Sequence, residues 1–377
     1  MSNSRNWFKS VPAERERRLT ASQRSDILIH RDGRQLVNFA SNDYLGLSTH
    51  PDICRAAINE IEKHGLGSGA SRLISGDDPL LHSLEDELAS WKGFEACLVV
   101  GSGMLANIGL IQALANRHTH LFCDKLNHAS LVDGARLSGA KVSRFEHLDY
   151  NQLASLLDKK PAEQRILVSD GIFSMDGDAA DLSTLIGLCE QHKALLLIDD
   201  AHGAGVVGES GKGLTDMAGI TGHERLIEVG TLGKAFGCYG AFILGTSEMI
   251  EGLRQRLRTL TYSTALPAAL PAAALAALHL IQQGDLRKRL QKNMAMFKQK
   301  TSELSLMVSE TPIQPLLIGS DANALSIASA LADAGFFVPA IRPPTVPEGT
   351  SRLRITLSAA HAESQICHLA EALRRLA

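Results

Sequence analysis

Aromatic side chains are scarce in this 377-residue sequence, at 5% of the chain with only two Trp and four Tyr. The core must therefore be built mainly from Leu, Ile, Val and Ala, and ready-made platforms for stacking are few. An excess of positive charge is also missing: 38 Lys and Arg stand against 41 Asp and Glu, for a net charge of −3. Proteins that grip nucleic acid are normally basic, so that class starts low. No apolar run is long and greasy enough for a membrane. The longest, Ala265–Ile281, is mostly alanine, broken by Pro267 and Pro271, and carries His279; a span needs about 20 more hydrophobic residues, so it reads as a packed helix. Met1–Arg18 is polar and Arg-rich with no apolar stretch, and Glu14 and Glu16 argue against a transit peptide as well. Six cysteines (54, 97, 123, 189, 238 and 367) form no CxxC pair, and Cys97 and Cys123 sit inside apolar runs. Free thiols in a reducing cytoplasm are expected, and no metal site.

At about 150 residues per domain, the length suggests two or three domains. The 45% hydrophobic and 21% charged residues are ordinary for a globular chain. Short apolar runs at Cys97–Val100, Leu121–Cys123, Ile166–Val168, Leu195–Ile198, Leu226–Val229 and Ala241–Leu244 read as strands buried on both faces. Helical stretches such as Leu105–Ala115 and Leu182–His192 lie between most of them. The alternation predicts an α/β fold with a parallel or mixed sheet covered by helices. Further on, Ala268–Leu304 reads as one long helix. Ser351–Ser358 alternates strictly, with Arg352, Arg354, Thr356 and Ser358 on one face. These two features point to a smaller α+β unit.

Four places carry candidate chemistry, each with a plainer alternative. Gly101-Ser102-Gly103-Met104-Leu105-Ala106 turns from a strand into a helix and exposes backbone N–H groups at its positive end, a ready phosphate site. The same residues fit a dinucleotide turn with Asp124 as the ribose acid, or simply a tight turn. Asp199, ending an apolar strand, would be nearly desolvated and wants a cationic partner, with His202 three residues on. An N-cap Asp and a backbone-satisfied His are equally ordinary readings. Lys234 lies among Gly233 and Ala235 after another apolar run; a surface lysine is the commonest case, but this setting favours a depressed pKa and Schiff-base chemistry. His128, soon after Asp124, is weak evidence alone. Gly208–Gly213 resembles a P-loop but lacks its first Gly and final Ser or Thr. Together, an anion cradle, a histidine face, a carboxylate and a lysine are what pyridoxal 5'-phosphate (PLP) requires.

The motifs Asp199–Gly203, Thr231–Gly237, Phe39–Leu47, Gly67–Arg72, Phe173–Asp178 and the Leu353–Thr356 strand resemble the α-oxoamine synthases, PLP enzymes of fold type I. The likeness runs in order along essentially the whole chain. It implies a mixed, mostly parallel seven-stranded sheet with helices on both faces plus a C-terminal α+β domain. The divisions implied are an N-terminal segment at 1–47, a large PLP-binding domain at 48–283 and the C-terminal domain at 284–377. Lys234 would bind the cofactor aldehyde and act as base, Asp199 would pair with the pyridine nitrogen, and His128 would stack on the ring. His202 and Ser174 would lie near its phenolic oxygen. Gly103, Met104 and Thr231 would hold the phosphate, through backbone groups at 103 and 104, since this chain has Met where the family usually has an aromatic. Arg354, with Arg352 second, would take a substrate carboxylate; Arg17, His128 and Thr350 would complete the substrate contacts.

The Ile341–Thr350 segment resembles the family member that joins L-alanine to a pimeloyl thioester with loss of CO2, in biotin biosynthesis. It argues against glycine C-acetyltransferase and 5-aminolevulinate synthase. A Rossmann dehydrogenase is the rival from another class. The resemblance also implies a homodimer with Gly67–Arg72 near the partner's site, and no nucleic-acid or membrane partner. The acyl carrier, CoA or acyl carrier protein, stays open: Arg254, Arg256, Arg258 and the Leu286–Lys292 cluster read more simply as solvated helix faces.

Overall fold

The structure, a computed structural model, describes residue 12 and residues 15–376. Its strands are β1 (Ser22–Ser25), β2 (Leu28–Arg31), β3 (Arg34–Asn38), β4 (Ala96–Val100), β5 (Thr119–Asp124), β6 (Lys141–Phe145), β7 (Gln164–Asp170), β8 (Leu195–Asp199), β9 (Leu226–Thr231), β10 (Ala241–Gly245), β11 (Ile313–Gly319), β12 (Phe336–Phe337), β13 (Ala340–Ile341) and β14 (Ser351–Thr356). Seven of them form one sheet in the order β4-β10-β9-β8-β7-β5-β6. Only β10 runs antiparallel to its neighbours β4 and β9; the other pairings are parallel.

All six apolar runs are strands of this sheet, and each feeds two cores because successive side chains point to opposite faces. Leu98, Leu121, Val168, Leu197, Val229 and Ile243 pack in one core. Val99, Phe122, Leu167, Leu196, Leu226 and Phe242 pack in the other. The seventh strand, β6, escaped the apolar pattern because it is an edge strand: in Lys-Val-Ser-Arg-Phe only Ser143 and Phe145 are buried.

Helices start where the parallel strands end. Ser102 caps the helix Gly103–Leu114 by accepting from Leu105 N at 3.3 Å. His128 caps Ala129–Leu137, and Asp181 caps Leu182–His192. The first two helix N-termini therefore gather beside the carboxyl ends of β4 and β5, the end of an open α/β sheet where ligands bind.

Three features differ from the sequence-based expectation. The long helix over 268–304 is two helices, Ala269–Gln283 and Asp285–Lys300, because Gly284 adopts a left-handed conformation (φ 83°) that terminates the first. Strand β14 stops at Thr356, and its polar face is not solvated: all six residues are buried. Near the N-terminus, β1, β2 and β3 form an antiparallel meander, and β12 from the C-terminal part of the chain joins it parallel to β3. Among the described residues no helix is long and apolar enough to cross a membrane. Cys97, Cys123 and Cys189 are buried free thiols, whereas Cys54 is exposed.

The P-loop-like segment has a structural use. Lys92 is fully buried, pairs with Glu228, lies 3.7 Å from Asp200 Oδ2 and donates to the carbonyl of Lys212 in that segment. Thr215 Oγ1 donates to Glu228 at 2.6 Å, and Leu214 N donates to Asp200 Oδ2 at 3.1 Å. Gly213 must be glycine here, since a Cβ would collide with the Asp200 carboxyl. Removing the only cation of this cluster among the described residues strands buried carboxylate charge. Lys92→Met is expected to cost about 3–5 kcal/mol in equilibrium denaturation; a midpoint equal to wild type would refute the pairing.

Candidate active site

Sheet topology brings the candidates together. Adjacent strands β7 and β8 end in Asp170 and Asp199, which face each other in register. Next door, β9 ends in Thr231, and the chain loops through Lys234 before returning as β10. Gly237 in that loop has φ 65°, and a Cβ there would strike the backbone of Leu47 and Ser48. The loop is thus pressed against the N-terminal part of the chain.

Asp199 is buried, and both its oxygens are held: Oδ2 accepts from Asn107 Nδ2 at 2.6 Å and Oδ1 from Ala201 N at 3.0 Å. Asn107 also donates to Ser130 Oγ at 2.8 Å. Asp170 is buried too, and its Oδ2 accepts from His128 N at 2.6 Å. Burial, then the Asp199 charge, pushes the Asp170 carboxyl well above the ordinary range. Burial and the neighbouring Asp199 carboxylate thus both favour the protonated form of Asp170.

Burial lowers the Lys234 amine from 10.5 to about 8, against the opposing pull of Asp199 and Asp170. Burial likewise lowers His128, whose Nδ1 lies 2.7 Å from Ser130 Oγ. His202 is driven well below its usual value by burial and then by Lys234, so both rings are neutral. His202 Nδ1 sits 2.5 Å from Tyr44 Oη. Tyr44 donates onward to Asn42 Oδ1 at 3.4 Å, and burial raises its hydroxyl to about 12.

Asn42 Oδ1 also accepts from Arg354 Nη2 at 3.1 Å. Arg354 Nε donates to Ser174 O at 2.6 Å and Nη1 to Thr356 Oγ1 at 3.0 Å. Among the described residues Arg354 meets no carboxylate, although it is 5% exposed and close enough to Lys234 to lower its pKa. Arg352, two residues earlier on the same face, is different: it is ion-paired to Asp176 at 2.6 Å. Identical positions in the alternation thus yield one neutralised arginine and one still in want of an anion.

Gly103 and Met104 occupy the first turn of their helix, where N–H groups have no intrahelical acceptor. Met104 is 43% exposed. Thr231 Oγ1 donates to Gly240 O at 3.1 Å and accepts from Gly233 N at 3.2 Å. Ser174 enters through its carbonyl, on Arg354. Arg17 is exposed and donates to Thr345 Oγ1 at 3.3 Å; Thr350 Oγ1 donates to Pro347 O at 2.7 Å. Both therefore belong to the 341–350 loop region rather than to the Lys234 group.

The residues fit PLP. A buried anion fixed at the floor, a low-pKa amine above it and free N–H groups at a helix start match a pyridinium, an aldehyde and a phosphate. Asn107 Oδ1, buried beside Asp199 without a partner, adds a polar atom in want of a donor. The dinucleotide reading loses its ribose acid, because Asp124 is buried and taken up by Leu126 N, Leu148 N and His147. Asn107, Ser130 and Asp170 escaped sequence reasoning as site residues, although Asp170 follows an apolar run just as Asp199 does.

Residues 34–373 match the family described as aminotransferase class I and II. An 8-amino-7-oxononanoate synthase from Saccharophagus degradans is 46% identical over 372 residues, covering 97% of this chain and 93% of that protein. A solved structure of serine palmitoyltransferase with a PLP internal aldimine superposes with a TM-score of 0.90 at 27% identity, over 95% of this chain and 93% of that one. The 8-amino-7-oxononanoate synthase structure from Francisella tularensis superposes with a TM-score of 0.79 at 30% identity, over 90% and 97%.

Proposed function

The chain belongs to the aminotransferase class I and II family, and from that premise we propose that it condenses L-alanine with a pimeloyl thioester, giving 8-amino-7-oxononanoate, CO2 and the free thiol carrier. It is a PLP-dependent acyltransferase of biotin biosynthesis. The observation that carries this reading is Lys234 and Asp199, just past and at the ends of neighbouring strands, beside an arginine that no carboxylate neutralises among the described residues.

When bound, PLP supplies an electron sink that stabilises negative charge developing on the substrate α-carbon. The protein does the rest. Asp199 would keep the proton on the ring nitrogen, and Asn107 and the Ala201 N–H hold that carboxylate in place. Gly103 N–H and Met104 N–H would receive the phosphate, with the Thr231 hydroxyl joining them by turning from Gly240 O, and His128 would cover one ring face. Lys234 Nζ, with its lowered proton affinity, takes and returns the α-proton. Arg354 receives the alanine carboxylate by releasing its Nη2 from Asn42, while Arg352 stays paired with Asp176. Neutral His202, fixed by Tyr44, and Ser174 would lie near the phenolic oxygen. Arg17 and Thr350, both at the 341–350 loop, meet the acyl substrate.

The fork geometry of arginine is what matches a carboxylate, so Arg354→Lys is not conservative. It is expected to raise KM for L-alanine about 10- to 100-fold, a loss of about 1.4–2.7 kcal/mol, with a smaller change in kcat. An unchanged KM would move the carboxylate site elsewhere. The reaction itself is tested by offering L-alanine or glycine with pimeloyl-CoA, pimeloyl-acyl carrier protein or acetyl-CoA. Turnover of L-alanine with a pimeloyl donor supports the assignment and names the carrier; turnover of glycine with acetyl-CoA would replace it with a glycine C-acetyltransferase.

Leu66, Leu73, Ile74 and Tyr262 are exposed large apolar side chains around the Gly67–Arg72 stretch, which supports a homodimer closed over that region. Buried reduced thiols at 97, 123 and 189 suit a cytoplasmic enzyme. The divisions 1–47, 48–283 and 284–377 remain our proposed domain limits.

A further inference from the structure

Arg354 and Arg352 both hang on one short loop, residues 173–178. Ser174 O accepts from Arg354, while Met175 O and Asp176 accept from Arg352. Whatever fixes this loop fixes the direction in which Arg354 points. One side is tied by Ser309 Oγ and Thr311 Oγ1, which both donate to Gly177 O. The other side is tied by His147, which follows β6.

His147 bridges two carboxylates. Its Nδ1 lies 3.1 Å from Asp124 Oδ1 at the end of β5, and its Nε2 lies 2.9 Å from Asp178 Oδ2 in the loop. Its ring meets Phe173 edge-on, with centroids 4.3 Å apart. A neutral imidazole has one bare nitrogen, which would set lone pair against lone pair at one of these contacts. Only the imidazolium donates to both. Burial alone would lower its pKa, but its hydrogen bonds to Asp124 and Asp178 outweigh it and raise the value to about 10. The other polar groups nearby are already engaged: Tyr150 Oη accepts from Asp181 N at 2.8 Å, and Lys125 pairs with Glu146 at the surface.

We infer that His147 is a positioning residue for substrate binding: as an imidazolium clamped between Asp124 and Asp178, it holds the 173–178 loop so that Arg354 presents its fork to the substrate carboxylate. The inference rests on the reading of Arg354 as the carboxylate site. It assigns no chemistry to His147, which reaches the reaction only through Phe173, Ser174 and Asp178.

The test is steady-state kinetics of PLP-loaded His147→Gln with L-alanine and pimeloyl-CoA, beside an NMR titration of the His147 ring in the wild-type protein. A displaced arginine is expected to raise KM for L-alanine about tenfold or more, with kcat changed much less. The gap between variant and wild type is present at pH 7 and closes as pH rises through about 10, where the wild-type imidazolium also loses its proton. Asp178→Asn, which preserves loop volume, is expected to raise KM in the same direction and to lower the His147 pKa. Should His147→Gln fail to fold, Asp178→Asn and the titration still decide. A His147 titrating near 6.5, or variants with unchanged KM, would overturn the inference. A wild-type enzyme that turns over without Arg354 contributing to KM would instead strike the carboxylate-site reading beneath it.

Discussion

Lys234→Ala is expected to lose turnover by more than about a thousandfold, the combined effect of removing a general base and the covalent anchor of the cofactor. The protein should remain folded, because Lys234 forms no ion pair among the described residues and supports no core. Its amine is used for reactivity: burial lowers its pKa to about 8, while Asp199 and Asp170 oppose the shift. An ordinary surface lysine, almost fully protonated at neutral pH, would be a poor base and a poor nucleophile. The visible band of lysine-bound PLP should vanish in the variant, even with PLP supplied in excess. A variant that keeps that band, or retains activity within tenfold of wild type, would remove Lys234 from the reaction.

The second large effect is expected at Asp199. Asp199→Asn keeps the size of the side chain and one acceptor for Asn107, but turns an N–H toward Ala201 N and removes the charge. Without that charge the ring nitrogen loses its proton and the electron sink weakens. A fall in kcat of about a hundredfold or more is expected, the scale of removing one electrostatic stabiliser from a water-excluded site. Asp170 does not substitute, because burial, the larger cause of its raised pKa, is unchanged in the variant. If Asp199→Asn turned over like wild type, the carboxylate would be structural, a partner to Asn107 and no more.

How far the sequence reaches depends on whether an interaction is local. The six apolar strands were legible because both faces of each are buried, and the helix Leu182–His192 because its periodicity and Asp181 cap agree. Lys234, Asp199, His202 and His128 could be found because each stands just past such a run. The N-terminal meander left a usable signal that went unread: Asp32-Gly33 between β2 and β3, with φ of 50° and 74°, is a hairpin turn. Other features had no local signal. Arg352 and Arg354 alternate identically, and only partners 176 and 180 residues away decide which one is neutralised. The Tyr44–His202 contact joins residues 158 apart. Gly284 is a local stop signal, but the apolar pattern that continues on both sides of it masks the break between the two helices.

Carbon–carbon bond formation at alanine is expected to accompany loss of its carboxyl group. Purified protein with PLP should be given L-alanine labelled at the carboxyl carbon, with and without pimeloyl-CoA. Labelled CO2 is expected only when both substrates are present, one for each molecule of unlabelled 8-amino-7-oxononanoate formed. Label retained in pyruvate, with the amino group passed to another acid, would show an aminotransferase and contradict it.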